Sequence, residues 1–265
     1  MKKISFVADY KLNENEISKI KNTEFIGEPL YFFDEVTSTF DEIAKHPRTE
    51  GLTVVAKSQT SGRGRLGRSW CSGKGGIYFS FNLTPDATPE EATFATLTCA
   101  VGVVKALRRY GDCAIKWPND IVMNGKKISG ILTTMAASEN KLEYICVGIG
   151  INANCDSFDS DLPYASSIKI ETSETKNENE IFVSVLQSIE QVYKTYSKED
   201  VLKEYCDNCA TIGSMVAIHY TDGRPDFEGK CTGITDGGSL VVKSNEKTVT
   251  VSSGEVSVRG LYGYL

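Results

Sequence analysis

The sequence lacks much of what common enzyme classes require. It has two histidines, His46 and His219, too few for a His-rich metal centre or an HExxH protease. No serine sits in a G-x-S-x-G pattern and no G-x-x-x-x-G-K-[ST] run occurs, which removes nucleophile-elbow hydrolases and P-loop enzymes. A basic excess is missing too: Lys and Arg total 29 against 35 Asp and Glu, a formal charge of −6. That balance argues against a general binder of nucleic acid or anionic membrane. Apolar runs stop well short of the ~18 residues a membrane span needs, and the first apolar stretch ends at Asp9, too soon for a signal peptide. The eight cysteines are scattered, and Cys206-x-x-Cys209 has no second such pair to complete a zinc site. They read as reduced core residues. The expectation is a soluble cytoplasmic protein with no DNA and no membrane partner.

What is present is ample for a core: 265 residues, 40% hydrophobic, enough for one large domain or two smaller ones. Leu52–Ala56, Gly76–Leu83, Ala114–Trp117, Asp120–Met123, Lys126–Met135 and Leu142–Ile151 read as strands. Thr88-Pro89-Glu90-Glu91 has the form of a helix start, with N-cap, N1 proline and capping-box glutamate. Phe94, Leu97, Val101, Val104 and Leu107 then recur at helical spacing. Glu171–Glu180 reads as a charged, solvated loop, followed by a second long helix carrying Phe182, Val185, Ile189, Val192 and Tyr196. Ser197-x-x-Asp200 caps a shorter one. From Gly213 onward, short β-rich pieces alternate with Asp-Gly and Ser-Gly turns, the pattern of a small barrel.

Two segments carry candidate chemistry. Gln59-Thr-Ser-Gly62-Arg63-Gly64-Arg65-Leu66-Gly67-Arg68-Ser-Trp70 formally contains G-x-G-x-x-G, but the sequence runs on toward another strand. A dinucleotide fingerprint demands a helix there. Glycines allow close backbone approach, and forked arginines suit phosphate or carboxylate. Trp70 offers a face for a base. The segment therefore reads as an anion clamp, with a solvated basic hairpin tip as the plainer alternative. In Lys116-Trp-Pro-Asn119-Asp120-Ile-Val-Met-Asn124-Gly125-Lys126-Lys127-Ile-Ser-Gly130, Asn124-Gly125 predicts a two-residue hairpin turn. That turn sets Met123 opposite Lys126, Val122 opposite Lys127 and Asp120 opposite Ser129. Asp120 and Lys127 then share a face as diagonal neighbours, about 7–8 Å apart, while Lys126 points to solvent. An exposed ion pair is the plainer alternative. Val147-Gly-Ile-Gly150-Ile-Asn152 taken alone reads as core.

Together and in this order, Ser38-Thr39, Gln59 with the 62–68 arginine–glycine run and Trp70, Lys116-Trp-Pro-Asn-Asp120, Lys127-x-x-Gly130-Ile-Leu, Gly148-Ile-Gly-Ile-Asn152 and Gly254-Glu-Val-Ser-Val-Arg259 closely resemble the biotin protein ligases. The resemblance implies an α+β fold: a mixed β-sheet packed against helices, of the class II synthetase type, followed by a small SH3-like barrel. It divides the chain into a short N-terminal segment (1–30), a catalytic domain (31–210) and the SH3-like domain (211–265). It implies a two-step reaction through biotinyl-5′-AMP, with biotin and ATP as substrates, Mg2+ travelling with ATP near Asp120 rather than at a fixed protein-only metal site, and a biotin carboxyl carrier domain as acceptor.

The resemblance also assigns roles. Lys127, Arg65 and Arg63 are the catalytic candidates. Ser38, Thr39, Gln59, Gly62, Arg63, Gly64, Arg65, Lys127 and Gly130 match biotin-binding positions. Arg63, Arg65, Arg68, Trp70, Asn119, Asp120, Lys127 and Asn152 match the ATP or adenylate side. Position 40 departs from the family, which often has asparagine where this chain has Phe40. Only thirty residues precede the matching region, without a helix-turn-helix pattern, so the expectation is a ligase that does not regulate transcription, as a monomer or homodimer. A lipoate or octanoate transferase on a similar fold and a non-catalytic binding module are the competing readings.

Overall fold

A computed structural model describes residues 11–88, 92–138, 141–245, 247–254, 256–261 and 263–264. In chain order it begins with α1 (Glu14–Ile20), β1 (Leu30–Val36), α2 (Thr39–Ile43), β2 (Thr53–Gln59), the two-residue strands β3 (Gly62–Arg63) and β4 (Ser69–Trp70), β5 (Gly76–Leu83) and α3 (Ala92–Leu107). Then come β6 (Cys113–Lys116), β7 (Asp120–Met123), β8 (Lys126–Ser138), β9 (Lys141–Asn152), α4 (Ile168–Thr172), α5 (Glu178–Thr195) and α6 (Lys198–Asp207). The chain closes with β10 (Met215–Tyr220), β11 (Phe227–Ile234), β12 (Leu240–Lys243), β13 (Thr248–Val251) and β14 (Val256–Gly260). The capping box expected at Thr88–Glu91 falls largely outside the described residues.

One mixed sheet runs β1-β2-β5-β9-β8-β7-β6, with β1 and β2 parallel and the other neighbours antiparallel. β5 is buried at every residue because it lies mid-sheet, with α2 contacting it from one side and α5 from the other. The stripe expected on α3 is there, but burial goes further: Ala95, Cys99, Ala100 and Val103 are buried too. The cause is a second cover. α3 lies between the sheet and α5 with α6, so it buries most of its circumference. Its Gly102 is obligatory, since a Cβ there would stand 2.7 Å from the Ile189 backbone of α5.

α5 also ties down the N-terminal segment. The buried Glu190 carboxylate accepts from the backbone N–H groups of Glu24, Phe25 and Ile26. Glu178 accepts from Leu12 N. This corrects the reading of 171–180 as merely solvated. Glu178 is buried, and Glu171 is held by Ser166, Asn124 and Lys126. Lys126 is accordingly paired rather than free in solvent. The Ser197–Asp200 capping box is formed on both sides.

The second sheet, β13-β12-β11-β10-β14, is wholly antiparallel and has the SH3-like arrangement, open between β13 and β14 among the described residues. It joins the first through Trp117, fully buried, whose Nε1 donates to Gly238 O at 3.0 Å. No helix among the described residues is long and apolar enough to cross a membrane. All eight cysteines are free; Cys71 is exposed, Cys206 half-buried and the others buried.

Candidate active site

The site begins at the β7–β8 hairpin. Asn124 and Gly125 both have positive φ (50° and 74°), as the two-residue turn requires. Met123 and Lys126 pair, as do Val122 and Lys127, but a bulge then shifts the register. Asp120 consequently faces Gly130, not the expected Ser129, which pairs with Ile121. The bulge adds a residue on β8 and leaves Lys127 beside Asp120, Nζ to Oδ1 2.6 Å. The pair is not an exposed surface ion pair: only 26% of the lysine side chain and 13% of the aspartate remain accessible. Segment 164–166 stitches onto Lys127 from outside, through Lys127 N to Tyr164 O (2.7 Å) and Ser166 N to Lys127 O (2.9 Å).

The arginine–glycine run forms the tight hairpin β3–β4. Gly64 N donates to Arg68 O at 2.7 Å, across a turn in which Leu66 (φ 54°) and Gly67 (φ 71°) are left-handed. The arginines diverge. Arg63 turns to Asp41 of α2, 2.5 Å away. Arg65 donates to Asn119 Oδ1 (3.1 Å) and to the Ser253 carbonyl, and Arg68 to Ser257 Oγ (3.1 Å). Trp70 rests on the cross-strand pair Gly130 and Gly150, where a Cβ would come within 2.7 Å and 2.5 Å of its ring. Lys127 Nζ stands 5.1 Å from the ring centroid.

A polar cradle lies at the far end. Gln59 Oε1 accepts from Thr39 N (2.8 Å) and Thr39 Oγ1 (3.2 Å), Gln59 Nε2 donates to Ser72 Oγ (2.8 Å), and Ser80 Oγ donates to Thr39 Oγ1. Ser38 is the N-cap of α2, accepting from Phe40 N. These groups are fixed by one another before any ligand arrives.

Two cavities meet here. The smaller, about 130 Å³, runs from Ser38, Thr39 and Gln59 past Arg63 and Gly130 to Lys127. The larger, about 520 Å³, continues beyond Lys127 to Asn152, Lys116 and Tyr164. Arg65, Arg68, Trp70, Asn119, Asp120 and Lys127 line both. Gly64 lines the smaller cavity, whereas Gly62 lines neither; a Cβ on Gly62 would sit 2.6 Å from Trp70 O and 2.9 Å from Gln59 Nε2. Asn152 is buried and donates to Ser166 O. Phe40, the position that departs from the family, lies across Gly148, where a Cβ would be 2.0 Å from its ring.

Several site groups escaped sequence reasoning. Lys116 points inward, donating to Val258 O (3.1 Å) with its Nζ 4.4 Å from the Tyr264 ring centroid. Burial pushes its ammonium down to about 8, against the opposing pull of Asp120. Tyr264 donates to Asp120 Oδ2 at 2.6 Å. Burial alone would push the Asp120 carboxyl up, but the Lys127 and Lys116 charges and the hydrogen bonds from Lys127 and Tyr264 outweigh it, holding it below the usual range. Burial, partly opposed by Asp120, also lowers the Arg65 guanidinium. The signal available in the sequence was the lysine opening Lys116-Trp-Pro-Asn-Asp120; its inward direction depends on the second sheet.

Comparison with known proteins decides the family. Residues 31–152 match the model of the Biotin/lipoate A/B protein ligase family, and 211–259 the Biotin protein ligase C terminal domain. The bifunctional ligase/repressor BirA of Bacillus spizizenii is 35% identical over 94% of this chain and 79% of its own length. The chain belongs to the biotin protein ligase family. A biotin--[acetyl-CoA-carboxylase] ligase from Paracoccus denitrificans is 27% identical over 78% of this chain and 90% of its own. Among solved structures, a biotin protein ligase from Aquifex aeolicus in complex with biotin and ATP superposes with a TM-score of 0.75 at 29% identity, covering 87% of this chain and 98% of that one. The mixed sheet and the C-terminal module thus have the fold of this ligase family.

Proposed function

We propose that the chain is an ATP-dependent biotin ligase, an enzyme that activates biotin as biotinyl-5′-AMP and passes it to a lysine on the carrier domain of a carboxylase. What carries the reading is the meeting of Lys127, Arg65 and Asp120 at the junction of two cavities, one ending in the polar cradle, the other large enough for a nucleotide. The names of the relatives support it: those from Mycobacterium tuberculosis and Paracoccus denitrificans are acetyl-CoA-carboxylase ligases.

A carboxylate must approach a triphosphate, so fixed cations have to offset the repulsion between two anions. The ureido head of biotin binds at Ser38, Thr39 and Gln59, with Gly62 and Gly64 letting the loop lie close. Biotin's carboxylate then reaches Lys127 near Gly130. ATP lies in the larger cavity against Arg68, Trp70, Asn119, Asp120 and Asn152. The carboxylate oxygen attacks the α-phosphorus, the bond to the bridging oxygen breaks and pyrophosphate leaves. Lys127, Arg65 and Arg63 hold the charge that builds on the phosphoryl oxygens. The carrier amine next attacks the acyl carbon and AMP leaves, with no covalent enzyme intermediate. A magnesium ion brought with the triphosphate would need only one or two protein carboxylates; Asp120, on the wall shared by both cavities, would supply one, and the ion would offset phosphate charge.

In this reading residues 31–210 are the catalytic unit, the described residues of 211–265 close the nucleotide side, and those of the N-terminal segment, from residue 11, brace α5. The free, mostly buried cysteines suit a reducing cytoplasm. Incubation with biotin, magnesium ATP and a carrier domain is expected to label that domain on an avidin blot. Biotin-dependent exchange of labelled pyrophosphate into ATP should appear without it. Lipoate, which lacks groups to satisfy the cradle, should not replace biotin. Exchange driven equally well by lipoate, or none with biotin, removes the proposal.

A further inference from the structure

The larger cavity has a wall that the catalytic roles leave unused. Tyr264 lies beyond residue 259, where the match to the C-terminal domain model ends, yet it reaches back across the molecule into this cavity. Three contacts hold it there. Its hydroxyl donates to Asp120 Oδ2 at 2.6 Å, while the other oxygen of the same carboxylate takes Lys127 at 2.6 Å. Its ring stacks on Tyr164, centroids 5.4 Å apart and planes 27° from parallel. Lys116 Nζ faces the same ring at 4.4 Å. Tyr164 is the residue whose carbonyl binds the Lys127 amide. One phenol therefore touches the strand that carries Asp120, the strand that carries Lys116 and the segment that covers Lys127.

We propose that Tyr264 is a positioning residue of the nucleotide half-site: its side chain walls the larger cavity, orients Asp120 and Lys116 toward a bound triphosphate, and retains the adenylate between the two reaction steps. The inference rests on the ligase reading for the adenylate, but its core claim concerns a nucleoside triphosphate and stands on the cavity alone. Lys116, Lys127, Arg65 and Arg68 give that cavity the cationic lining a polyphosphate needs. A half-buried donor on a carboxylate keeps that side chain from swinging. The tyrosine pair adds a flat apolar boundary to the cavity.

The test compares wild type with Tyr264→Ala and Tyr264→Phe, all full-length. ATP affinity and biotin affinity are measured separately by calorimetry, the KM for ATP by pyrophosphate exchange, and adenylate retention by release of labelled biotinyl-AMP. Tyr264→Ala is expected to weaken ATP binding, raise its KM and speed adenylate release, each about tenfold, the effect of one hydrogen bond to a charged group. Biotin binding without ATP should stay within twofold. Tyr264→Phe, which keeps the ring, is expected to restore retention but not ATP affinity. Unchanged ATP affinity and release in Tyr264→Ala overturn the proposal. So does a parallel loss of biotin affinity, which marks a merely structural role. Weakened ATP binding in Tyr264→Ala together with no biotin-dependent exchange in wild type upholds the nucleotide role and removes the ligase reading. Normal wild-type exchange with an indifferent Tyr264→Ala does the reverse.

Discussion

Lys127 concentrates the demands of the site in one side chain. Its ammonium is paired with Asp120, set over Trp70 and placed where the two cavities join. A fixed cation at a developing phosphoryl charge contributes far more to the transition state than to binding. Lys127→Ala is therefore expected to lower the rate of biotin-dependent pyrophosphate exchange by about 10²–10³. Stopped assays with saturating ATP check this, and wild-type exchange would remove the role assigned here. The lysine was legible in sequence because the Asn124-Gly125 turn places it on a defined strand. The register partner of Asp120 was not. The bulge that displaces Ser129 from Asp120 to Ile121 is a packing outcome with no turn residue to announce it.

At the scale of elements, the strand pair β8–β9 acts as a floor. Gly130 and Gly150 face each other, and Trp70 lies on the plain surface they leave. Gly150→Ala puts a methyl 2.5 Å from Trp70 Cε2, so the indole must lift or the strands must shift. Overpacking of this kind costs about 1–3 kcal/mol; a lower Tm and a changed tryptophan fluorescence are expected, with weaker ATP binding because Trp70 lines the larger cavity. α6 offers a control away from the site. Ser197→Ala removes the capping hydroxyl from the Asp200 amide, a loss of about 1 kcal/mol, visible as a small fall in Tm with pyrophosphate exchange unchanged. Helix and strand positions were mostly readable because 3.6- and 2-residue periodicities are local. β1 was missed, since Leu30–Val36 runs Leu-Tyr-Phe-Phe-Asp-Glu-Val without strict alternation and sits at a half-buried sheet edge.

Across the whole molecule, the second sheet completes the site rather than merely following it. Ser253, Ser257, Val258 and Tyr264 meet Arg65, Arg68, Lys116 and Asp120 in turn. Arg65 thus bridges the hairpin loop, the Lys116–Asp120 segment and the C-terminal module. Arg65→Gly breaks both of its links, to Asn119 and to Ser253, and leaves the loop free to open. Faster escape of biotinyl-AMP is the expected result, with labelling of bystander lysines by the freed anhydride. An avidin blot against an unrelated carrier such as serum albumin reads it directly, and full retention of the intermediate would refute the clamp.

The amino-acid sequence by itself determined most of the elements, the turn beneath Lys127 and the arginine–glycine run, because each depends on residues within a few positions of one another, and its motifs in order carried the family resemblance. Tertiary structure alone decided that Asp120 meets Lys127 through a bulge, that Glu171 and Glu178 are held rather than solvated, and that Lys116 and Tyr264 belong to the cavity. Those outcomes depend on which surfaces pack together across as many as 166 positions of chain. Packing of that kind is governed by burial and charge compensation in three dimensions, which no local pattern encodes.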